Sequence, residues 1–422
     1  MAIAIRTGEQ TRQVQMVCLD ELVPDDDVLR RVERLVSWEQ VRATAEPFYC
    51  DFGRPGVDPV VLIKVFLVAA VRGLGSMRET LRIANVDLSV RRFLGYGLTE
   101  ALPHHATFSY AQCVRFANST VFEQLFTQVL ASCRDAGLLD GSRLIVDATH
   151  VEANAALKSL RAELDVIDGG GEKDAGNEPI SERPALALAE PRTGPTPKRT
   201  ASNATAVSTS DPDAKLRYKP GHRPHLVHRA QVATDPKARV IVAVYAERAT
   251  GHEADSLPVI IDRARWLRHK VDELVADAGY ASKSVYESLQ DAGITAFIPP
   301  QPNMRKSQHG QAARSRCKSP AGVGAAVDRI THSEGAIAEM KRHGAGRARS
   351  CGTGKLQIQL LLAATAINLK RLIKTADAAK NPAAGNDQAH QAETQTQTQL
   401  AILQACLREL GPIPSTTSTT GS

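Results

Sequence analysis

Two aspartates in this sequence each follow a short apolar run of the kind that forms a buried strand. Asp147 comes after Leu-Ile-Val at 144–146, and Asp277 comes after Glu-Leu-Val-Ala at 273–276. Ligands of open α/β sheets bind at the carboxyl ends of the strands, so we expect the two carboxylates to lie side by side. Carboxylates that close repel each other unless a cation lies between them, and Mg²⁺ prefers such oxygen ligands. The pair predicts a site for two Mg²⁺ ions (with Mn²⁺ as a substitute) about 3.5–4 Å apart, the arrangement that serves phosphodiester chemistry.

Such a site needs a further acid, and two glutamates on one predicted helix compete for the role. The segment Thr-His-Ser-Glu-Gly-Ala-Ile-Ala-Glu-Met-Lys-Arg holds Glu334 and Glu339. Five residues at about 100° each set the two side chains roughly 140° apart, so only one of them can face the metal ions. Spacing alone leaves the choice open. If Glu334 faces the metals, we expect Glu339 to pair on the surface with Arg342, three residues further on.

Lysine and arginine are concentrated around this helix. Residues 301–355 contain eleven Lys or Arg and three acids, a local charge of +8 in a chain whose net charge is +6. A basic zone of this kind is typical of proteins that bind nucleic acid, although a solvated basic loop has the same composition. The residues that we expect to contact DNA phosphates are Arg329, Lys341, Arg342, Arg347, Arg349 and Lys355.

The composition argues against several other classes of protein. The seven cysteines show no CxxC motif and no pairing rhythm, which argues against a zinc site or a disulfide framework. The first residues lack the apolar region of a signal peptide, and we find no apolar run long enough to span a membrane. We therefore expect a cytoplasmic protein with no membrane partner.

The spacing of apolar residues divides the chain into three parts. Residues 1–140 show helical spacing and predict an all-helical domain. Residues 141–375 alternate strands with helices and predict an α/β domain. A Gly-, Pro- and Ser-rich segment at 161–213 predicts a flexible insertion in this domain, and a basic, Gly-containing segment at 301–325 predicts a loop. Residues 376–422 are rich in Ala, Gln and Thr and predict a disordered tail.

Taken in order, these segments resemble one known family, the bacterial insertion-sequence DDE transposases. The resemblance rests on the segment from DFGRPGVDP to the Phe at 116, LIVDATHVEA at 144–153, ELVADAGYAS at 273–282, and the segment from EGAIAEMKR to NLKRL at 334–372. It implies an α/β fold: a ribonuclease-H-like mixed sheet flanked by helices, preceded by an all-helical N-terminal domain. It assigns Asp147, Asp277 and Glu334 as the catalytic, metal-binding acids.

The resemblance also implies what the protein does. Such an enzyme cuts DNA at the ends of a mobile element and joins the freed 3′-hydroxyl to target DNA. Its partners are double-stranded DNA, as terminal inverted repeats and as target, and further copies of itself in a homodimer or larger assembly. The helical domain would bind the repeats through Thr107–Ala117, unless this domain is purely structural or dimerising. The arginines of the helical domain that we expect to contact DNA phosphates are Arg78, Arg82, Arg91, Arg92 and Arg115.

Two alternatives remain open at this stage. A ribonuclease-H-like nuclease would cut DNA without joining it, and a catalytically decayed relic would bind DNA without cutting it. The second is suggested by a departure from the family, which often carries a Tyr and an Arg at fixed spacing ahead of the Glu. Here that Tyr is missing and Arg329 has a slightly different offset from Glu334. Strand transfer and Mg²⁺-dependent nicking separate these possibilities.

Overall fold

The first third of the chain folds into short helices around one long buried helix. The computed structural model describes residues 16–50, 52, 56–162, 206–218, 221, 223–266 and 270–380. The buried helix is α4 (Pro59–Val71), which begins where the side chain of Asp58 accepts a hydrogen bond from the N–H of Val60 at 2.8 Å. Pro59 fits the first turn because a backbone N–H at that position has no acceptor within the helix, so its absence in proline costs no hydrogen bond. The other helices are α1 (Leu19–Leu22), α2 (Val28–Leu35), α3 (Trp38–Ala45), α5 (Met77–Val86), α6 (Leu88–Leu94), α7 (His105–Tyr110) and α8 (Val121–Asp135).

A mixed β-sheet occupies the second part of the described chain. Its strands run in the spatial order β6-β5-β1-β7-β8, and the short β4 also pairs with β5. β5 is antiparallel to both β1 and β6, whereas β1, β7 and β8 are parallel. The strands of this sheet are β1 (Arg143–Glu152), β4 (Lys215–Arg217), β5 (His225–Asp235), β6 (Val240–Arg248), β7 (Glu273–Val275) and β8 (Thr295–Phe297), and a separate pair is formed by β2 (Leu160–Ala162) and β3 (Ala206–Ser208).

This order confirms the fold class that the resemblance implied. An antiparallel pair beside a central first strand, followed by parallel strands on its other side, is the arrangement of a ribonuclease-H-like sheet. Parallel neighbours need a crossover connection, and helices supply it here. The helices of this part are α9 (Leu257–Trp266), α10 (Lys283–Asp291), α11 (Gln308–Lys318), α12 (Pro320–Met340) and α13 (Thr353–Lys380).

Helix α13 joins the sheet to the helical part in one hydrophobic core. It packs against β6 on the sheet and against α4 and α8. Its polar Asn368 is satisfied at the sheet edge, where its Oδ1 accepts the backbone N–H of Ile241 at 3.0 Å and its Nδ2 donates to the carbonyl of Ile241 at 2.9 Å. Among the described residues, Thr353–Ala379 is a helix long and apolar enough to cross a membrane, and 83% of its apolar window is buried inside the protein. That burial is expected of a core helix.

The segment 301–325 is helical, and the prediction of a loop was wrong. α12 begins after Ser319, whose hydroxyl accepts a hydrogen bond from the N–H of Gly322 at 3.1 Å, and Ser307 starts α11 in the same way. Gly322 is there because a β carbon would lie 2.2 Å from the carbonyl oxygen of Arg316. Gly322, one of the glycines that suggested a loop, therefore marks a close approach of two helices.

Two glycines of α12 should respond in opposite ways to alanine. Gly322→Ala should lower the free energy of unfolding by about 1–3 kcal/mol, because the methyl group has no room beside the Arg316 carbonyl. Gly324→Ala should raise it by about 0.5–1 kcal/mol, because no atom lies within 4 Å of its β carbon and alanine favours helix. Urea-induced unfolding measures both. Equal effects at the two positions would contradict the packing of α11 on α12.

The ends of the predicted insertion at 161–213 are ordered. β2 and β3 form an antiparallel pair that closes the segment, which is a correction to the prediction. Residues 163–205 lie outside the described residues, so flexibility there stays a prediction. The same holds for 381–422, although α13 extends to Lys380 and so passes the predicted start of the tail at 376.

Candidate active site

Asp147 and Asp277 occupy equivalent positions on neighbouring parallel strands. Ile145 on β1 lies opposite Val275 on β7, and each aspartate comes two residues later. Asp277 lies two residues beyond the end of β7 and caps a short 3-10 turn, where its Oδ1 accepts the N–H of Gly279 at 2.8 Å. The prediction of adjacent strands is confirmed. β1, however, continues for five residues beyond Asp147 because it stays paired with β5, so Asp147 lies within the strand and not at its end.

The carboxylate of Asp147 is half-buried beneath α12. Its Oδ2 accepts a hydrogen bond from the Ser333 hydroxyl at 2.7 Å, and its Oδ1 accepts the N–H of Ala148 at 2.9 Å. Burial raises the pKa of Asp147, and the charge of Asp277 adds to the rise, against the opposing effect of the hydrogen bonds and of Arg329. Folding therefore holds two like charges close together, which a bound cation would relieve.

Arg143 fixes α12 above these strands. Its guanidinium pairs with Glu273 at 2.7 Å and with Asp328, so β1, β7 and the first half of α12 are tied at one point. The bridge is mostly shielded from solvent. It sets the helix so that Ser333, further along, meets Asp147.

The two competing glutamates have different surroundings. Glu334 is exposed and makes no hydrogen bond or ion pair with the described residues. Glu339 forms an ion pair with Arg371 of α13, where its side chain is 15% exposed. The expected surface pairing of Glu339 with Arg342 was wrong, because α13 packs against this part of α12 and supplies a closer cation. Glu339 is thus committed to a structural contact, whereas Glu334 is available.

Most of the basic residues expected to contact DNA are exposed or partly exposed. Lys341, Arg342 and Arg347 are exposed just after α12, and Lys355 is partly exposed in the first turn of α13. Arg329 lies near enough to Asp147 to act on its pKa. Among these residues, Arg329 is the cation that the structure places near the carboxylate pair, where the phosphates of a bound substrate would lie.

Arg349 has a different role from the one expected. Burial lowers the pKa of its guanidinium, which donates a hydrogen bond to the carbonyl oxygen of Leu74 at 2.5 Å. The backbone N–H of Arg349 donates a hydrogen bond to Oε1 of Gln359 at 3.0 Å. The residue therefore fastens the segment after α12 to the helical part, and we leave it out of the DNA surface.

Several arginines of the helical part are also structural. Arg91 is 3% exposed and donates hydrogen bonds to backbone carbonyls, including that of Gly97, and Arg92 pairs with Asp20 and Glu33. The expected recognition element is not one regular helix, since α7 passes into a π-helical turn at Ala111–Arg115. Arg115 stacks on the ring of Tyr49. Arg78 and Arg82 border an open cavity.

Two further polar residues of β1 lie outside the carboxylate pair. Burial lowers the pKa of His150 to about 4, so its ring is neutral near pH 7. Glu152 pairs with Arg347 at 3.9 Å. Neither residue contributes to the carboxylate pair.

The sequence did not reveal a network that ties a third acid to the Asp277 loop. The buried Tyr280 hydroxyl donates to Oε1 of Gln231 on β5, and Nε2 of Gln231 donates to the backbone carbonyl of Glu253 at 3.2 Å. Glu253 is thereby held beside Asp277. Its only signal in the sequence was an acid near a helix start, a position that usually serves capping.

The donor set matches a hard divalent cation. Asp147 and Asp277 present carboxylate oxygens on adjacent strands, and each accepts hydrogen bonds that leave further lone pairs open. Within the described ranges, no three His, Cys, Asp or Glu side chains are already arranged as a metal-binding cluster.

Comparisons with known proteins bear on this site. Residues 17–112 match a family model described as Transposase domain (DUF772), and residues 138–369, more than half of the chain, match one described as Transposase DDE domain. A search of curated proteins found no significant match. A cryo-EM structure of a piggyBac transposase synaptic complex with hairpin DNA aligns with 94% of this chain and 87% of its own at 8% identity, with a TM-score of 0.34. A likeness at that TM-score carries no argument, and the family models alone bear on function.

Proposed function

Since this chain belongs to the Transposase DDE domain family, we propose that it cleaves DNA at the ends of an insertion sequence and joins those ends to target DNA. The observation that carries the proposal is the pair Asp147 and Asp277, in matching register on adjacent parallel strands. Both reactions are in-line displacements at phosphorus. Water attacks first and releases a 3′-hydroxyl, and that hydroxyl then attacks a target phosphodiester, so one site serves both.

The proposed roles of the chain's residues follow from their contacts. Asp147 and Asp277 hold the cations, and the Ser333 hydroxyl keeps the Asp147 carboxylate in one orientation. Glu334 is the proposed third acid. Glu334 directly follows Ser333, the residue that contacts Asp147, and consecutive Cα atoms lie about 3.8 Å apart. We propose that a change of rotamer moves the exposed carboxylate of Glu334 toward the aspartate pair. When bound, two Mg²⁺ or Mn²⁺ ions would activate the attacking oxygen and stabilise the leaving oxygen.

The proposed partners are double-stranded DNA and further copies of this chain. Bringing two element ends together requires two active sites, so we propose a homodimer or larger assembly on the terminal inverted repeats. Because the proposed substrate is chromosomal DNA, we propose that the protein acts in the cytoplasm. The region formed by Arg329, Lys341, Arg342, Arg347 and Lys355 is the proposed phosphate-binding surface.

Removing two exposed cations of this surface should weaken DNA binding without changing sequence preference. For the double variant Lys341→Ala, Arg342→Ala we expect lower affinity for any duplex. The slope of log affinity against log salt should be shallower by about two, since each phosphate contact contributes about one. Fluorescence anisotropy at several salt concentrations measures both. Lys270→Ala is the matched control, because this exposed lysine lies just before β7, at the opposite end of the strand from Asp277. Equal losses in the control and the double variant would contradict the proposed surface.

A strand-transfer assay tests the function itself. Short inverted repeats in the DNA that flanks the gene define a labelled duplex, which is incubated with the protein, a target plasmid and Mg²⁺. We expect nicking at the repeat end and a labelled plasmid product. Nicking without a joined product would instead indicate a ribonuclease-H-like nuclease, and duplex binding without nicking would indicate a catalytically decayed relic.

A further inference from the structure

Glu253 and Asp277 direct carboxylate oxygens at the same point. A β carbon on Gly279 would lie 2.8 Å from Oε2 of Glu253 and 2.9 Å from Oδ1 of Asp277. The two oxygens therefore border the same space and lie no further apart than the sum of these two distances. Only a glycine leaves this space open. The half-buried Glu253 side chain thus approaches the acid that the proposed function places on the metal ions.

The carboxylate of Glu253 has no partner that would explain its position. It accepts no hydrogen bond and forms no ion pair with the residues that the structure describes, although its backbone carbonyl is held by Gln231. The nearest cation, Arg229, is engaged elsewhere: it lies 3.5 Å from Glu247 and donates to the Gly251 carbonyl at 3.1 Å. A half-buried anion without a partner is costly unless something else binds it.

The charges around Glu253 are mostly of its own sign. Asp277 shares the space beside Gly279 with it, and Glu247 binds the same Gln231 side chain that holds the Glu253 backbone. Glu247 is already satisfied by Gln231 and by Ser256. Glu253 and Asp277 are therefore two like charges side by side, and no ion pair among the described residues neutralises either of them.

We propose that Glu253 is a metal ligand of the same site, and that it binds a divalent cation jointly with Asp277. The inference rests on the proposed function, because it needs the cation that Asp147 and Asp277 hold. It adds an acid that the fold itself carries to the site, from the 3-10 turn (Glu253–Ser256) that precedes α9, before Glu334 turns inward. The Tyr280–Gln231 hydrogen bond maintains this placement by joining the Asp277 loop to the turn that contains Glu253.

The test measures binding of Mn²⁺ alone, without DNA, by isothermal titration calorimetry. Glu253→Gln should weaken Mn²⁺ binding by about tenfold or more, since even groups that only support metal ligands change affinity by about 10–100-fold. The matched control is Asp262→Asn on α9, an exposed acid about 13 Å further along the chain, which should bind Mn²⁺ as the wild type does. Glu253→Asp, which keeps the charge on a shorter side chain, should fall between the two.

Thermal unfolding without metal provides the second readout. Glu253→Gln removes one of two like charges, so the variant should be at least as stable as the wild type. If Glu253 had only a structural role, the variant would be less stable and its Mn²⁺ affinity would be unchanged. That second result overturns the inference. If Asp277→Asn loses Mn²⁺ binding while Glu253→Gln retains it, only the inference fails. If the wild type binds no Mn²⁺, the inference and the proposed metal chemistry fail together.

Discussion

Asp147→Asn should reduce Mg²⁺-dependent cleavage of an inverted-repeat duplex by about a thousandfold or more. A metal pair contributes several kcal/mol to the transition state of phosphodiester cleavage, and each 1.4 kcal/mol corresponds to about tenfold in rate. Asparagine keeps the shape of the side chain and can still bond Ser333, but it removes the charge that holds the cation. Duplex binding should persist, because the basic surface is unchanged.

The same variant should be more stable than the wild type in the absence of metal at neutral pH. The pKa of Asp147 is raised in the folded protein above its ordinary value of 3.8, so folding disfavours the ionised form. The resulting loss of stability develops as the pH rises above 3.8 toward the folded pKa, and it persists above that pKa. Asparagine escapes this loss. The difference in melting temperature between variant and wild type should therefore vanish below pH 3.8, where both states of the wild type are protonated.

Asp272→Asn is the control for both measurements. Asp272 pairs with Lys270 before the start of β7, away from the carboxylate pair, so its replacement should leave cleavage unchanged and give no metal-free stabilisation at neutral pH. Cleavage by Asp147→Asn at the wild-type rate would remove the central argument for the site.

Glu334→Gln and Glu339→Gln should separate catalysis from stability. Glu334→Gln should abolish Mg²⁺-dependent nicking, by about a hundredfold or more, with little change in unfolding, because its side chain is exposed and unpaired among the described residues. Glu339→Gln should retain nicking but lose about 1–3 kcal/mol of stability, because it breaks a largely buried pair and leaves Arg371 without its carboxylate.

Nicking of a labelled duplex and urea-induced unfolding, applied to both variants, give the comparison. An inactive Glu339→Gln beside an active Glu334→Gln would reverse the assignment of the third acid while leaving the family intact. Normal cleavage by both variants would contradict a DDE mechanism in this protein.

Much of the architecture was predictable because its signals are local. Asp58-Pro59 starts α4, Ser76 and Ser282 start α5 and α10, and the apolar runs of β5 and β6 pair as an antiparallel hairpin. The failure at 301–325 has a physical cause. Glycine marks both loops and close helix contacts, and only a neighbouring helix distinguishes the two.

The candidate site divides in the same way. Asp147 and Asp277 were identifiable because each stands beside its own apolar run, and the register of two parallel strands then brings them level. The position of Glu334 came from the resemblance, since helical spacing allowed Glu339 equally well. Ser333 and Glu253 were not identifiable, because nothing in a serine on a helix or an acid near a helix start predicts what it faces.

The sequence by itself determined the helices outside 301–325, the strands on either side of the two aspartates, the basic zone and the aspartates themselves, since these depend on neighbours within a few residues. Tertiary structure alone decided which charges meet. It paired Glu339 with Arg371, turned Arg349 toward Leu74 and placed Glu253 beside Asp277. These partners come from different elements, and their approach depends on how α9, α12 and α13 pack on the sheet. Packing is a sum of many weak contacts over the whole core, so no local pattern specifies which side chains it brings together.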